Sequence, residues 1–332
     1  MRLSLALALA GLLLAGTTFA AEKPADPVQL ELLAEHPVEG MAGGNLSGLT
    51  RCGEEWLAIS DREDDRLYSL KPGDGAWQAD AETFDAPPVP PSALPWGLRM
   101  RTWAVNLVRP GKLDFESIGC DDKGNRYLLS EAHVALLQVG PSGMAEWLPL
   151  PDTLIRQARA SGMLLRHNAL LEGLAIDPAG TRLWLAAERE RRGLLVLHLE
   201  KGRWRCTGGC ILMSEAGQLR SPLTPQSDTR YPRSFGDLVF HDDKLFSLER
   251  LEHRICRRNP STGAQEKCWS FSAAAQESGR VYPEPYGAAE ALWLDEEGAW
   301  LGLDNNDLAR ADGERRPLLW QFKPPAGGWS AK

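Results

Sequence analysis

Carboxylates recur in this chain in matched pairs, one at each end of the same two-strand pattern. Glu116 with Glu131, Glu172 with Glu188, Asp237 with Glu249, and Glu290 with Asp304 make four such pairs, and Ser47 with Asp61 makes a fifth copy. Brought to one place, nine carboxylates would repel one another and would call for a hard cation, protons or arginines. An oxygen-only set suits calcium, and the six histidines show no zinc-ligand spacing. The expected metal ligands are therefore Asp61, Glu116, Glu172, Asp237, Glu249, Glu290 and Asp304. Glu131 and Glu188 are candidate general bases. Arg62, Arg189 and Arg250 each follow an outer acid and are candidates to clamp an anionic substrate. The competing reading pairs those arginines with the acids as plain ion pairs. Asn168, Asn305 and Asn306 lie near the acids and could add neutral oxygen ligands, or serve only as turn residues.

Positioning the acids falls to short strands. Each copy has an apolar run, a turn and a second apolar run, with alternation of period two rather than helical spacing. A third strand-like run usually follows, as at 66–70, 135–139, 194–198 and 254–256. Opposed residues in a hairpin have position numbers of constant sum, and Glu172 and Glu188 centre on Gly180, in the turn. Each pair should thus face its mate across the first hairpin of its unit. Three or four antiparallel strands repeated five times predict an all-β fold, a β-propeller of five or six blades. With the first strand of each blade lining the channel, all nine acids would ring one mouth. Strand-like runs at 30–34 and 318–322 are expected to pair, closing the ring through the N- and C-terminal strands, and they leave room for a sixth blade.

Residues 21–332 read as a single domain with inserted loops near 81–113, 144–169 and 214–234. The first insertion is proline-rich over 86–95 and carries Trp96 and Trp103. In the second, 152–165 reads as a helix with Asp152 as N-cap and Gly162 near its end. The third, at 218–234, reads as polar loop. Twelve tryptophans, mostly within apolar runs, are expected between sheets. Six cysteines in an exported chain point to disulfides. Cys256 and Cys268 flank a turn, Cys206 and Cys210 bracket a tiny loop, and Cys52 and Cys120 hold equivalent places in consecutive copies.

Residues 1–20 have a basic start at Arg2, an apolar run and a small-residue end, which is the pattern of a secretory signal. Periplasmic or secreted location follows as the expectation, with no membrane span. Loss of Arg2 takes the formal charge from −8 to −9, and such acidity argues against a nucleic-acid partner. There is no Gly-x-Ser-x-Gly elbow, no phosphate-cradling loop and no dinucleotide fingerprint in a strand-to-helix context. Arg166-His167-Asn168 lacks the glycine of a histidine-phosphatase motif. His133 and His253 read as surface histidines, and Asp64-Asp65 as a solvated turn.

The segments Asp114-Phe115-Glu116-Ser117-Ile118, Asn168 to Ala175, Phe235-Gly236-Asp237-Leu238-Val239, Leu248-Glu249-Arg250 and Glu290-Ala291-Leu292 resemble the phytase-like family, "esterase-like activity of phytase", of exported bacterial propeller proteins. The resemblance spans roughly Ser47 to Asn305 and implies a calcium-dependent hydrolase acting on a small anionic ester or phosphoester. The Asp-Asp-Pro-Ala type of run found in β-propeller phytases is missing, which speaks against phytate as the substrate. From a different class, the same chain reads as a non-catalytic propeller that binds a ligand or a partner protein, with structural calcium.

Overall fold

The computed structural model describes residues 27–42, 44–109 and 111–331; the expected leader at 1–20 lies outside them. Two short strands come first, β1 (Val28–Gln29) and β2 (Leu32–Glu39). A first four-stranded unit follows: β3 (Gly48–Cys52), β4 (Glu55–Ile59), β5 (Arg66–Lys71) and β6 (Trp77–Thr83). After helix α1 (Trp96–Val105) comes the second unit: β7 (Phe115–Cys120), β8 (Arg126–Ser130), β9 (Ala135–Val139) and β10 (Ala145–Leu148). Helix α2 (Asp152–Ala160) leads to the third: β11 (Leu171–Ile176), β12 (Arg182–Ala187), β13 (Arg191–Glu200), β14 (Arg203–Arg205) and β15 (Ile211–Ala216). A separate hairpin, β16 (Gln218–Arg220) and β17 (Arg230–Pro232), precedes the fourth: β18 (Leu238–His241), β19 (Lys244–Glu249), β20 (Arg254–Arg258) and β21 (Gln265–Ser270). A short helix α3 (Ser272–Ala275) then leads to β22 (Ala289–Asp295), β23 (Gly298–Leu303) and β24 (Leu318–Phe322).

Within each unit, consecutive strands pair antiparallel, as the alternating apolar pattern requires. The first strands touch in cyclic order, β3 to β7 to β11 to β18 to β22 and back to β3, which is the architecture of a β-propeller. The apolar residues segregate accordingly. One cluster joins Leu57 and Leu67 to Phe115 and Leu128, another Leu129 and Leu136 to Leu174 and Leu183, and a third Ala175 and Trp184 to Leu238 and Leu245. The remaining two join Phe246 and Leu248 to Leu292 and Leu301, and Trp300 and Leu319 to Leu49 and Trp56. Trp56, Trp77 and Trp300 pack on one another with centroids 4.9–5.9 Å apart, between sheets as expected.

The chain ends pair as anticipated. Strand β2 runs antiparallel to β24, with Leu32 opposite Phe322 and Pro37 opposite Leu318. Its far end also pairs parallel with β6, at Val38 and Trp77. These strands complete the unit that begins at β22 instead of forming one of their own. Disulfides join Cys52 to Cys120, Cys206 to Cys210 and Cys256 to Cys268. Among the described residues no helix is long and apolar enough to cross a membrane.

Three local expectations need correction. The N-cap of α2 is Pro151, with Asp152 inside the first turn; Gly162 (φ +85°) follows the helix end. The polar segment 218–234 is not all loop, since it contains the β16–β17 pair. Helix α1 was not expected, because its apolar residues lie all round the helix without an amphipathic stripe and no side chain caps it.

The residue after each first-strand acid or serine is small in four units: Gly48, Ser117, Gly173 and Ala291. Convergence explains it. A Cβ on Gly173 would stand 2.9 Å from the Asp237 backbone, and one on Gly48 would stand 3.0 Å from the Ile118 nitrogen. Gly173→Ala should therefore destabilise the fold by about 1–3 kcal/mol, the cost of overpacking a tight contact. Urea denaturation of the variant checks it, and an unchanged midpoint would refute the account.

Candidate functional site

Three of the first-strand acids owe their direction to β-bulges. The β7–β8 register slips between Phe115 and Ser117, the β11–β12 register between Leu171 and Gly173, and the β22–β23 register between Ala289 and Ala291. Glu116, Glu172 and Glu290 are the extra residues, and a bulge re-aims its side chain out of the regular alternation. Their mates begin the turn out of the next strand in one recurring way. The backbone N–H groups of Glu131, Glu188 and Asp304 donate to the carbonyls of Asp114, Leu170 and Ala288 at 2.7–2.9 Å. In the first unit Ser47 replaces the acid, and its Oγ accepts from the Asp61 N–H at 3.0 Å.

These groups meet in a recess of about 360 Å³ at the channel mouth, lined by Asp61, Glu116, Glu131, Glu172, Glu188, Glu290 and Asp304. Seven of the nine expected acids are thus brought together. Their oxygens form overlapping groups, each within 4.8 Å: Glu116, Glu172 and Glu290; Glu131, Glu172 and Glu188; and Asp61, Asp114 and Glu116. Asn168 and Asn306 share the wall, whereas the side-chain N–H of Asn305 is turned to the Arg315 carbonyl at 2.5 Å.

Three guanidinium groups reach the acids. Arg250 lies 3.2 Å from Glu172 and 2.7 Å from Glu290. Arg189 pairs with Glu188 and donates to the Asn168 carbonyl at 2.5 Å. Arg109 bridges Asp61 at 2.7 Å and Asp114 at 2.5 Å. The sequence reading missed Arg109, Asp114 and Tyr286; Arg109 lies in the insertion after α1, outside the repeating pattern that marked the others.

Eight buried carboxylates thus face three cations. Burial, and then the neighbouring negative charge, pushes Glu116, Glu172, Glu188 and Asp304 well above the usual carboxylate range. Burial also raises Glu131 to about 8, and lifts Asp114 to about 6 against the pull of Arg109. Oε2 of Glu188 is buried with no hydrogen-bond partner. A hard cation fits such a donor set: oxygen only, crowded and short of positive charge.

The other predicted residues lie elsewhere. Asp237 does not join the mouth groups. Gly236 and Asp237 both oppose Leu248, the same two-to-one register as in the other units, but the shorter aspartate is held by donors of the neighbouring first strands. Its Oδ1 accepts from Ser117 Oγ at 2.6 Å and Leu238 N at 2.8 Å, and Oδ2 accepts from Leu292 N at 2.9 Å. Ser117 Oγ in turn accepts from Leu174 N at 3.0 Å, so one carboxylate ties four first strands together. Glu249 is fully buried among Arg192, Arg254 and Arg258 at 2.5–3.1 Å. Arg62 pairs with Asp307 and is not in the mouth wall. His253 is 1 % exposed, not a surface residue, and burial lowers it to about 4. His133 lines a different cavity, beside α1. Asp64 is no free turn residue either, since it accepts from the Lys112 and Leu113 N–H groups.

The arginines hold Glu249 down to about 2 against the effect of burial. A carboxylate with a depressed folded-state pKa stabilises above its unfolded value near 4.3, and that stability is lost as pH falls toward 2. Glu249→Gln should cost about 3–5 kcal/mol at pH 7, because it strands buried guanidiniums. The difference from the native chain should shrink between about pH 4 and 2. Denaturant melts across that range test it; a pH-independent difference would refute the assignment.

Comparison with known proteins comes down to one family. Residues 42–254 match the family described as "Phytase-like: Esterase-like activity of phytase". No curated protein sequence matches the chain. Among solved structures, glutaminyl cyclase of Myxococcus xanthus is similar at 12 % identity, covering 90 % of this chain and 98 % of that one, with a TM-score of 0.49. Virginiamycin B lyase of Staphylococcus aureus is similar at 13 % identity over 87 % and 88 % of the two chains, with a TM-score of 0.38. A gluconolactonase of Xanthomonas campestris is similar at 10 % identity over 81 % and 69 %, with a TM-score of 0.39. Likeness at this level bears on neither activity nor substrate. The family match covers well over half of the sequence and includes the bulged acids of β7 and β11, so the chain belongs to the phytase-like family.

Proposed function

We propose that this protein is an exported, five-bladed propeller hydrolase that uses calcium at its acidic mouth to cleave a small anionic ester or phosphoester. The observation that carries the reading is the surplus of eight buried carboxylates over three guanidiniums. Each β22-to-β3 style contact between first strands is read as a blade boundary, which makes five blades, with β2 completing the last. Three disulfides accord with export to a periplasm or beyond.

Glu116, Glu172 and Glu290 would hold the ion, with Asp61 and Asp304 nearby in the same wall. Calcium there would polarise a phosphoryl or acyl oxygen and orient a water. Glu131 is fixed by the Leu170 N–H, which donates to its Oε1 at 2.8 Å, and it shares a cluster with Glu172 and Glu188. Either Glu131 or Glu188 would take the proton of the attacking water. Arg189 and Arg250 would steady the substrate's charge while balancing the acids they already touch. Those same ion pairs favour a second reading, a binding propeller in which calcium only stiffens the mouth.

The test starts from protein stripped of metal on a chelating resin. Calcorimetric titration with calcium should show binding with release of protons, since protonated carboxyls must ionise to ligate. A panel of phosphate monoesters, carboxylic esters and lactones should then reveal calcium-dependent turnover. Glu172→Gln should weaken calcium binding about tenfold and lower turnover about 100-fold or more while remaining folded. Full activity in that variant would sink the site assignment. Calcium binding without turnover on any substrate would leave the binding reading.

A further inference from the structure

Large exposed apolar side chains are concentrated in one place. Trp96, Met100, Trp103, Leu107 and Val108 are 70, 41, 59, 66 and 86 % exposed, all on α1 and the turn that follows it. Single exposed apolar residues are ordinary, but a contiguous group of this size marks a contact surface. Beneath it lies a groove of about 780 Å³ bordered by Phe84, Pro87, Val89 and Trp103, with Asp64, Asp65 and Asp85 also in its lining.

The charge of this segment is opposite to that of the protein. From 86 to 113 there is no aspartate or glutamate, while Arg99, Arg101, Arg109 and Lys112 are present in a chain of net charge −8. Arg109 is consumed by Asp61 and Asp114. The side chains of Arg99, Arg101 and Lys112 have no ion-pair partner among the described residues. Tryptophan beside unpaired cations is the chemistry of a bilayer interface: indole sits at headgroup depth, and guanidinium or ammonium meets anionic headgroups.

We infer that α1 and residues 106–108 form a peripheral docking surface for anionic lipid bilayers. The same insertion sends Arg109 into the acid mouth. The chain lies on the membrane and does not span it, in keeping with the lack of a spanning helix among the described residues. The inference does not depend on the mouth being catalytic.

The experiment is sedimentation of the full-length mature protein with vesicles, read together with tryptophan emission. Vesicles of phosphatidylglycerol with phosphatidylcholine should bind about tenfold or more tightly than phosphatidylcholine alone, and emission should shift to the blue. Trp96→Ser with Trp103→Ser should abolish binding, and Arg99→Glu with Arg101→Glu should abolish the preference for anionic lipid. Circular dichroism should be unchanged in both, because all four side chains are exposed. Absence of binding to either vesicle would overturn the proposal, as would unaltered binding in the tryptophan variant. So would light scattering that shows a dimer lost in that variant, which would assign the patch to a second copy of the chain. None of these readouts involves turnover, so failure here and failure of the hydrolase reading are separate results.

Discussion

Five strand starts converge on one axis, and the carboxylates they carry share a space that supplies too little positive charge. The rest of the architecture answers to that crowding. Small residues follow the acids so that neighbouring backbones can approach, as Gly173 does against Asp237. Bulges at Glu116, Glu172 and Glu290 lift the carboxylates to the mouth instead of leaving them along the channel wall. Arginines come from outside the first strands: Arg250 from the end of a second strand, Arg189 from the same place in its own unit, and Arg109 from an insertion.

The fourth unit breaks the pattern, and the break is useful. Its first-strand acid is an aspartate, one methylene shorter than the glutamates, and the carboxylate bonds to β18 and β22 directly and to β11 through Ser117 of β7. Its second-strand acid, Glu249, is withdrawn into an arginine network on the side of the sheet. The next residue, Arg250, takes the vacated position and lies between Glu172 and Glu290 of the flanking units. One unit of the ring thus supplies a cation and a hub where the others supply acids. Low dielectric makes each of those contacts stronger than it would be in water, and makes any unpaired member costlier.

Much of this was legible in the sequence, for reasons that can be named. Period-two alternation identified the strands, and the recurrence of acids at both hairpin ends pointed to the seven found at one mouth, although bulges put the ladders one residue out of the constant-sum register; cysteine positions in hairpins and consecutive copies matched the disulfides. Asp237 and Glu249 were misplaced although they keep the repeating register, because the partners that draw them away, Ser117 and the Leu238 and Leu292 N–H groups for one and Arg192, Arg254 and Arg258 for the other, are brought to them only by folding. Arg109 was invisible because it is local to an insertion, and only folding brings it to Asp61, 48 positions earlier in the chain. Helix α1 escaped because apolar residues on its exposed side (Trp96, Met100, Trp103) as well as on its packed side (Leu98, Val105) leave no one-sided 3.6-residue stripe.

Strand β2 joins both the final unit, through β24, and the first, through β6. That double engagement makes assembly order matter. Residues 32–37 must wait for 318–322, which are synthesised long after them, so the ring cannot close until that later strand has emerged. Until then the β6 and β24 edges stay open to strand addition by any neighbour. Closure then draws together segments separated by most of the chain, the kind of contact that slows folding most.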